Sequence, residues 1–307
     1  MDLKPTTRAL YESVIATHVR PRWSSTAIGK VEHGAVQAWI AELAGRGISA
    51  GHVRKIAGVL SSVLGLAVRD RRLASNPATG LSLPRIRERR RRYLNAEEVE
   101  RLAESAGPLG GLVVLVLAYC GLRWSELAAL RVERVDLLRR RMTVAEAMTE
   151  IDGGRIVWGT PKSHEARSVP IPRFLVRPLA DHLAGKDSGD LVFTTRNGAP
   201  LRNRNARRDW FDRAAILAGV EGLTPHELRH SAASLAVSAG ANVKAVQRML
   251  GHASAALTLD RYADLFDADL DAVADRLEAV RAAGVARLLP NTNVVDLGSA
   301  RQVARGQ

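Results

Sequence analysis

The chain has 307 residues, long for one domain and comfortable for two. Hydrophobic residues make up 46% and charged residues 25%, a balance that supports real cores and excludes a disordered chain. The net charge of +13 points to a polyanionic partner, most simply nucleic acid. A single cysteine, Cys120, excludes an intramolecular disulfide and any cysteine-rich zinc site; it lies in an apolar run and reads as core. The longest such run, Leu112 to Cys120, is too short to cross a bilayer. Asp2, Lys4 and Arg8 interrupt the N-terminus where a secretory signal would be apolar. A cytoplasmic location with no membrane partner is therefore expected.

Residues 1–83 carry a helical pattern. Val36, Trp39, Ile40 and Leu43 recur at helical spacing, as do Val53, Ile56, Val59, Leu60, Val63, Leu64 and Ala67. Ser49 is placed to cap the second run, and Gly45 and Gly47 break the chain before it. Asn76-Pro77 and Gly80 close the last helix. Trp39 reads as core, and His18, His33 and His52 as surface or helix-face residues. The positive charge is concentrated here: up to Arg92 there are 17 Lys and Arg against 6 Asp and Glu. An arginine-rich composition alone does not account for that asymmetry.

Residues 84–92 read as a basic interdomain linker, PRIRERRRR. Either it is a solvated hinge, or Arg89, Arg90, Arg91 and Arg92 lie on phosphates, each neutralised phosphate adding to affinity and salt dependence. We favour the second.

A second domain is expected over residues 93–265. Asn95-Ala-Glu-Glu has the form of a capped helix start. An apolar helix follows at 112 to 119, then a short one around Glu126 to Leu130. Arg141 to Ala147 and Arg155 to Trp158 read as strands around an Asp152-Gly153-Gly154 turn, and Ser168 to Ile171 as a third. Helical spacing resumes near Arg173. Trp158 and Trp210 are expected in the core, and His182 on the surface. Arg202, Arg204, Arg207 and Arg208 form a basic run before a helix, with Arg202 and Arg204 as candidate phosphate contacts.

Five stretches carry chemistry. In TPHELRH, residues 224 to 230, Thr224 fits the N-cap, Pro225 the first helical position, and Glu227 completes a capping box. His226 and Arg229 then share one face of the first turn, where the helix dipole favours an anion such as phosphate. His230 and His164 have the character of structural or exposed residues. In GLRWSEL, Arg123 sits beside so much apolar sequence that it needs an anionic partner. TPKSHEARSVPIP puts Lys162 at or near a hairpin tip. MLGH ends a helix at Gly251 and presents His252, and Tyr262 lies ten residues further on.

In order, Arg, Lys, His-x-x-Arg, Leu-Gly-His and Tyr, this set resembles the tyrosine recombinase (phage integrase) family, six positions agreeing in identity, order and rough spacing. The resemblance covers about residues 93 to 265; the N-terminal part resembles the family's core-binding domain more loosely. It implies a mainly α fold with a small antiparallel β-sheet: a helical, SAM-like core-binding domain followed by an α+β catalytic domain. It implies that Tyr262 attacks a DNA phosphodiester, leaving a 3′-phosphotyrosyl link and a 5′-hydroxyl. A phenol of pKa about 10 needs help to lose its proton. Arg123 and Arg229 would clamp the non-bridging oxygens and Lys162 would protonate the leaving oxygen. His226 would assist Tyr262, His252 would donate to the phosphate, and Glu126 would orient Arg or His side chains. No metal and no ATP would be required; the sequence holds no Walker-type loop.

The resemblance further implies double-stranded DNA attachment sites, strand exchange through a Holliday junction, and a homotetramer assembled by exchange of a C-terminal helix within 266–307. A host DNA-bending protein or an excision factor is a further implied partner. After Tyr262, Leu265, Leu270, Val273, Leu277 and Val280 make an amphipathic stretch leading into that helix, which would otherwise pack in cis, and from Pro290 the chain reads as a tail. The chain looks too short for the arm-binding domain of many phage integrases. A phage or mobile-element integrase is the first expectation. A Xer-type chromosome dimer resolvase, a non-catalytic DNA-binding protein on the same fold, and a type IB topoisomerase are the alternatives.

Overall fold

The computed structural model describes residues 5–86, 92–151, 154–161, 165–256, 258–259 and 270–288. Lys162, Tyr262, Arg89, Arg90 and Arg91 lie outside the described residues, as do His164 and the chain from residue 289.

The first core is built by helices alone. Helix α1 (Pro5–Val14) runs through a π-helical turn (Ile15–Val19) into α2 (Arg20–Trp23), followed by α3 (His33–Gly45) and α4 (Ala50–Arg69). Val36, Trp39, Ile40 and Leu43 of α3 meet Val53, Ile56, Leu60 and Leu64 of α4 in one buried cluster, with the Trp23 ring edge-on to Trp39. Ser49 caps α4 by accepting from the His52 amide. Among the described residues α4 is the one helix long and apolar enough to cross a membrane, yet its apolar face forms this core. Val63 is the exception: the helical repeat places it with the core, but it stands 38% exposed.

The three N-terminal histidines have partners that the sequence pattern does not reveal. His18 Nε2 and His52 Nε2 are 3.3 Å apart, and His33 Nδ1 meets the Pro77 carbonyl at 3.0 Å. His182 likewise meets the Val192 carbonyl at 2.7 Å and stacks on Phe193.

The second, larger core begins at Leu94. Helix α5 (Ala96–Ser105) opens with a complete capping box between Asn95 and Glu98. Helix α6 (Gly107–Cys120) is strongly apolar and, from Gly110 on, buried except for the partly exposed Leu115 and Tyr119. Trp210 packs on α6 at Gly110, where a Cβ would stand 2.9 Å from its ring; it is half-buried. Cys120 is fully buried, and burial pushes its thiol up to about 12.

The expected strand at 141 to 147 is two strands in two sheets. Strands β1 (Val135–Asp136), β2 (Arg141–Val144) and β5 (Arg167–Pro170) form an antiparallel sheet in the order β1-β2-β5. Strands β3 (Ala147–Ile151) and β4 (Arg155–Gly159) form a separate hairpin. The chain bends between Val144 and Ala147 because Val144 belongs to the main core, whereas Met148 packs in a small cluster with Ala128 and Ala129.

Trp158 is not core, contrary to expectation. It lies on β4 of a hairpin that is two-stranded among the described residues; it is 43% exposed, with the Arg131 guanidinium 5.7 Å from its ring centre.

The remaining helices are α7 (Trp124–Leu127), α8 (Arg173–Leu183), α9 (Asn203–Ala206), α10 (Asp212–Leu217), α11 (Pro225–Ser238), α12 (Val243–Leu250) and a final helix, Leu270–Leu288. Helix α11 packs along α6, and Ser231 of α11 accepts from the Leu94 amide at 2.9 Å. Helix α11 therefore lies at the centre of the second core. The fold is mainly helical with small antiparallel sheets, as expected.

Candidate active site

Helix ends position the site. Helix α6 stops at Gly121, whose φ of +67° is left-handed backbone that suits glycine. Two residues later Arg123 starts the short helix α7. Glu126 reaches back to the start of that helix, accepting from the Arg123 amide at 2.9 Å and from Arg123 Nη1 at 2.6 Å. The anion that Arg123 needs is thus its own neighbour three residues on.

Glu126 is 1% exposed and has a second cationic partner. Arg167 of β5 grips both carboxylate oxygens, Nη1 to Oε1 at 3.0 Å and Nη2 to Oε2 at 2.6 Å. Burial pushes the Glu126 carboxyl up; the hydrogen bond and charge of Arg167, then the charge and amide of Arg123, outweigh it and hold the group at about 2. The remaining donor of Arg167, Nε, goes to the Met249 carbonyl at 3.1 Å.

Helix α11 starts as its sequence demands: Glu227 accepts from the Thr224 amide at 2.7 Å and the Thr224 hydroxyl at 3.0 Å, with Pro225 in the first turn. His226 is exposed and Arg229 is 2% exposed, so the two residues divide the work of that turn. Arg229 donates Nη1 to the Gly121 carbonyl and Nη2 to the Leu250 carbonyl. Both acceptors sit at helix C-termini, where the backbone dipoles favour a cation. His230 is buried with its ring edge-on to His226, centroids 5.0 Å apart.

Helix α12 ends at Gly251, φ +64°. His252 follows, buried, with its amide on the Gln247 carbonyl, its own carbonyl accepting from Gln247 Nε2 at 3.0 Å, and Nδ1 at 2.9 Å from the Thr258 hydroxyl.

Arg123 and His226 open into one cleft of about 1130 Å³, whose walls include Arg202, Arg204, Arg207 and Arg208. Arg202 is paired with Glu150 at 3.1 Å, Arg207 with Asp212 at 2.9 Å and Arg208 with Asp209 at 2.6 Å. Arg92 lies apart, on Glu98 and the Gly219 carbonyl. The structure thus brings Arg123, Glu126, Arg229 and the His252 turn into one connected network, with His226 on the cleft it borders. Sequence reasoning missed Arg167. The signal was present: period-2 alternation puts Arg167 on the same strand face as buried Val169 and Ile171, where an arginine requires an anion.

Among the described residues no group of three or more His, Cys, Asp or Glu is arranged to hold a metal ion.

Comparisons with known proteins bear on family and fold. Over 268 residues the chain is 30% identical to a Mycobacterium tuberculosis protein named as a prophage phiRv2 integrase, covering 84% of this chain and 69% of that one. It is 29% identical over 260 residues to the tyrosine recombinase XerC of Mycobacterium sp. strain KMS, covering 81% and 83%. Its fold matches the Tn1549 transposon integrase in complex with a circular intermediate DNA, at a TM-score of 0.75, 20% identity, and coverage of 85% and 90%. It also matches a lambda integrase dimer bound to a COC′ core site, at a TM-score of 0.63, 18% identity, and coverage of 85% and 72%. The phage integrase family model matches residues 92–269, a span holding every motif from Arg123 to Tyr262, and the chain belongs to that family, the tyrosine recombinases.

Proposed function

We propose that this recombinase integrates or excises a phage or mobile element by cutting and rejoining double-stranded DNA at specific sites. The observation that carries the reading is the single network that joins Arg123, Glu126, Arg229 and the His252 turn at the edge of an arginine-lined cleft. DNA lies in that cleft with the scissile phosphate against Arg123 and Arg229. Tyr262 Oη attacks the phosphorus while its proton passes toward His226. The bond to the 5′-oxygen breaks, and Lys162 protonates the leaving oxygen. The two guanidiniums offset the charge of the pentavalent transition state, and His252, with Nδ1 engaged by Thr258, donates from Nε2. Religation reverses these steps with a 5′-hydroxyl from the partner strand, through a Holliday junction. Lys162 and Tyr262, and the phosphate contacts of the buried Arg229 and His252, enter on the family motif alone.

The reaction needs neither metal nor nucleotide. Five cationic or hydrogen-bonding side chains supply the electrostatic stabilisation, and the phosphotyrosyl bond retains the energy of the diester. The assembly that exchanges strands is a homotetramer on DNA, held through the C-terminal helix. A Xer-type resolvase uses the same chemistry on a chromosomal site, and the relatives include that kind at nearly equal identity.

The test is covalent capture in EDTA on sheared bacterial and phage genomic DNA, followed by sequencing of SDS-stable adducts. The expected result is adducts focused on one inverted-repeat site and absent from Tyr262→Phe. Adducts that persist in Tyr262→Phe would remove the proposed nucleophile, and adducts that require added metal would remove the metal-free mechanism. An adduct site in a phage attachment region supports an integrase; a site near the chromosome terminus supports a resolvase.

A further inference from the structure

We propose that Arg167 is a positioning residue for DNA cleavage, fixing the phosphate-clamping Arg123 and the His252 turn to one another. This rests on the recombinase reading above.

Each donor nitrogen of the Arg167 guanidinium has an acceptor: Nη1 and Nη2 take the two oxygens of Glu126, and Nε takes the Met249 carbonyl. Glu126 in turn holds Arg123 through its side chain and its amide. One planar fork therefore joins β5, the start of α7 and the end of α12, which lie far apart in the chain. From the other side Arg229 takes the next carbonyl, Leu250, and ties it to Gly121. The two residues before Gly251 are thus held by one arginine each, and His252 follows directly.

The Arg167 side chain is nearly buried and packs over Gly251: a Cβ on that glycine would stand 2.7 Å from Arg167 Cδ. Behind Glu126, Arg131, Arg134 and Glu146 line the same small cavity, but Arg131 is paired with Glu146. Arg167 and Arg123 are therefore the two cations that bond Glu126 directly among the described residues. A lysine at 167 would keep the charge but could not serve both carboxylate oxygens and the Met249 carbonyl in fixed directions. A displacement of about 1 Å at a clamped phosphate is enough to cost about 100-fold in rate.

The experiment uses the full chain and a nicked duplex carrying the site that the wild-type protein captures. Wild type, Arg167→Lys, Arg167→Met and the double variant Glu126→Gln/Arg167→Met are compared for binding of the duplex and for single-turnover adduct formation, from neutral to mildly acidic pH. Arg167→Lys should bind within about threefold of wild type and form adduct on the order of 100-fold more slowly. Arg167→Met should slow further as the pH falls, because Glu126 then keeps only Arg123 and takes up a proton sooner. The double variant should lack that acid limb.

Cleavage by Arg167→Lys within about threefold of wild type would overturn the proposal. So would a parallel loss of binding, cleavage and thermal stability with no change in pH profile, which would mark a purely structural pair. If Arg167→Met does not fold, Arg167→Lys decides. If wild type forms no adduct that depends on Tyr262, the recombinase reading itself fails, and it does so before any Arg167 variant is compared.

Discussion

Gly251 and Arg167 meet so closely that no side chain fits between them. A Cβ on Gly251 would stand 2.7 Å from Cδ and 3.0 Å from Nε of Arg167, and the glycine φ is +64°. Two separate forces thus keep this position a glycine. Left-handed backbone costs a non-glycine residue about 1–2 kcal/mol, and the arginine beneath is held by three hydrogen bonds and cannot yield cheaply. Gly251→Ala should lower thermal stability by several degrees and slow adduct formation at least tenfold, because relief of the clash displaces either Arg167 or the His252 turn. Calorimetry and single-turnover cleavage check this. An unchanged cleavage rate would show that the turn tolerates displacement.

Glu126 should matter for folding as well as for catalysis. It is a buried carboxylate between two guanidiniums, and removing the charge of such a group leaves the partners uncompensated, at about 3–5 kcal/mol. Its folded-state value of about 2 lies below the ordinary 4.5. The stability it contributes is therefore present above the ordinary value and is lost as the pH falls through about 2. The stability difference between wild type and Glu126→Gln should be constant near neutrality and shrink on acidification below the ordinary carboxylate range. Urea unfolding across that range measures it. A difference that does not change with pH would mean that Glu126 acts by shape alone.

On the cleft wall Arg204 and Arg202 should differ in their contribution to DNA binding. Arg202 is engaged by Glu150 and must release it to reach a phosphate, whereas no ion pair joins Arg204 among the described residues. Arg204→Ala should reduce the slope of log affinity against log salt by about 0.9, the signature of one lost phosphate contact. Arg202→Ala should change it less. Equal slopes for both variants and wild type would place the DNA elsewhere.

Where local chemistry decides structure, the sequence was a sufficient guide. The capping boxes at Asn95 and Thr224, the Ser49 cap, the all-apolar α6 and the Trp39 core form as their residues dictate. Arg123 demanded an anion, and Glu126 three residues on supplies it. Long-range partners were another matter. The bend that splits residues 141 to 151 between two sheets depends on which core each strand finds, and Trp158 is exposed on a hairpin that stands apart from the main sheet. The His18–His52 contact joins residues 34 apart, beyond any local periodicity. Arg167 lay between these extremes: its strand face could be read, but its hold on Met249, 82 residues away, could not.

The final helix provides the test of assembly. Leu277 and Val280, three apart and so on one face, are 65% and 71% exposed, and Val285 is also exposed. Such a face gains about 1.5–3 kcal/mol for each large apolar side chain it buries against a partner, enough for two residues to decide association. Replacing Leu277 and Val280 together with Asp should leave folding stability within about 0.5 kcal/mol, since both side chains are largely exposed. Binding of one copy to a half-site should persist. Complexes with two and four copies on a full site should be lost, together with recombination, in native mass spectrometry and plasmid assays. Intact four-copy complexes would mean that another surface holds the protomers together, and a drop in the stability of the free protein would mean that the helix packs on its own chain.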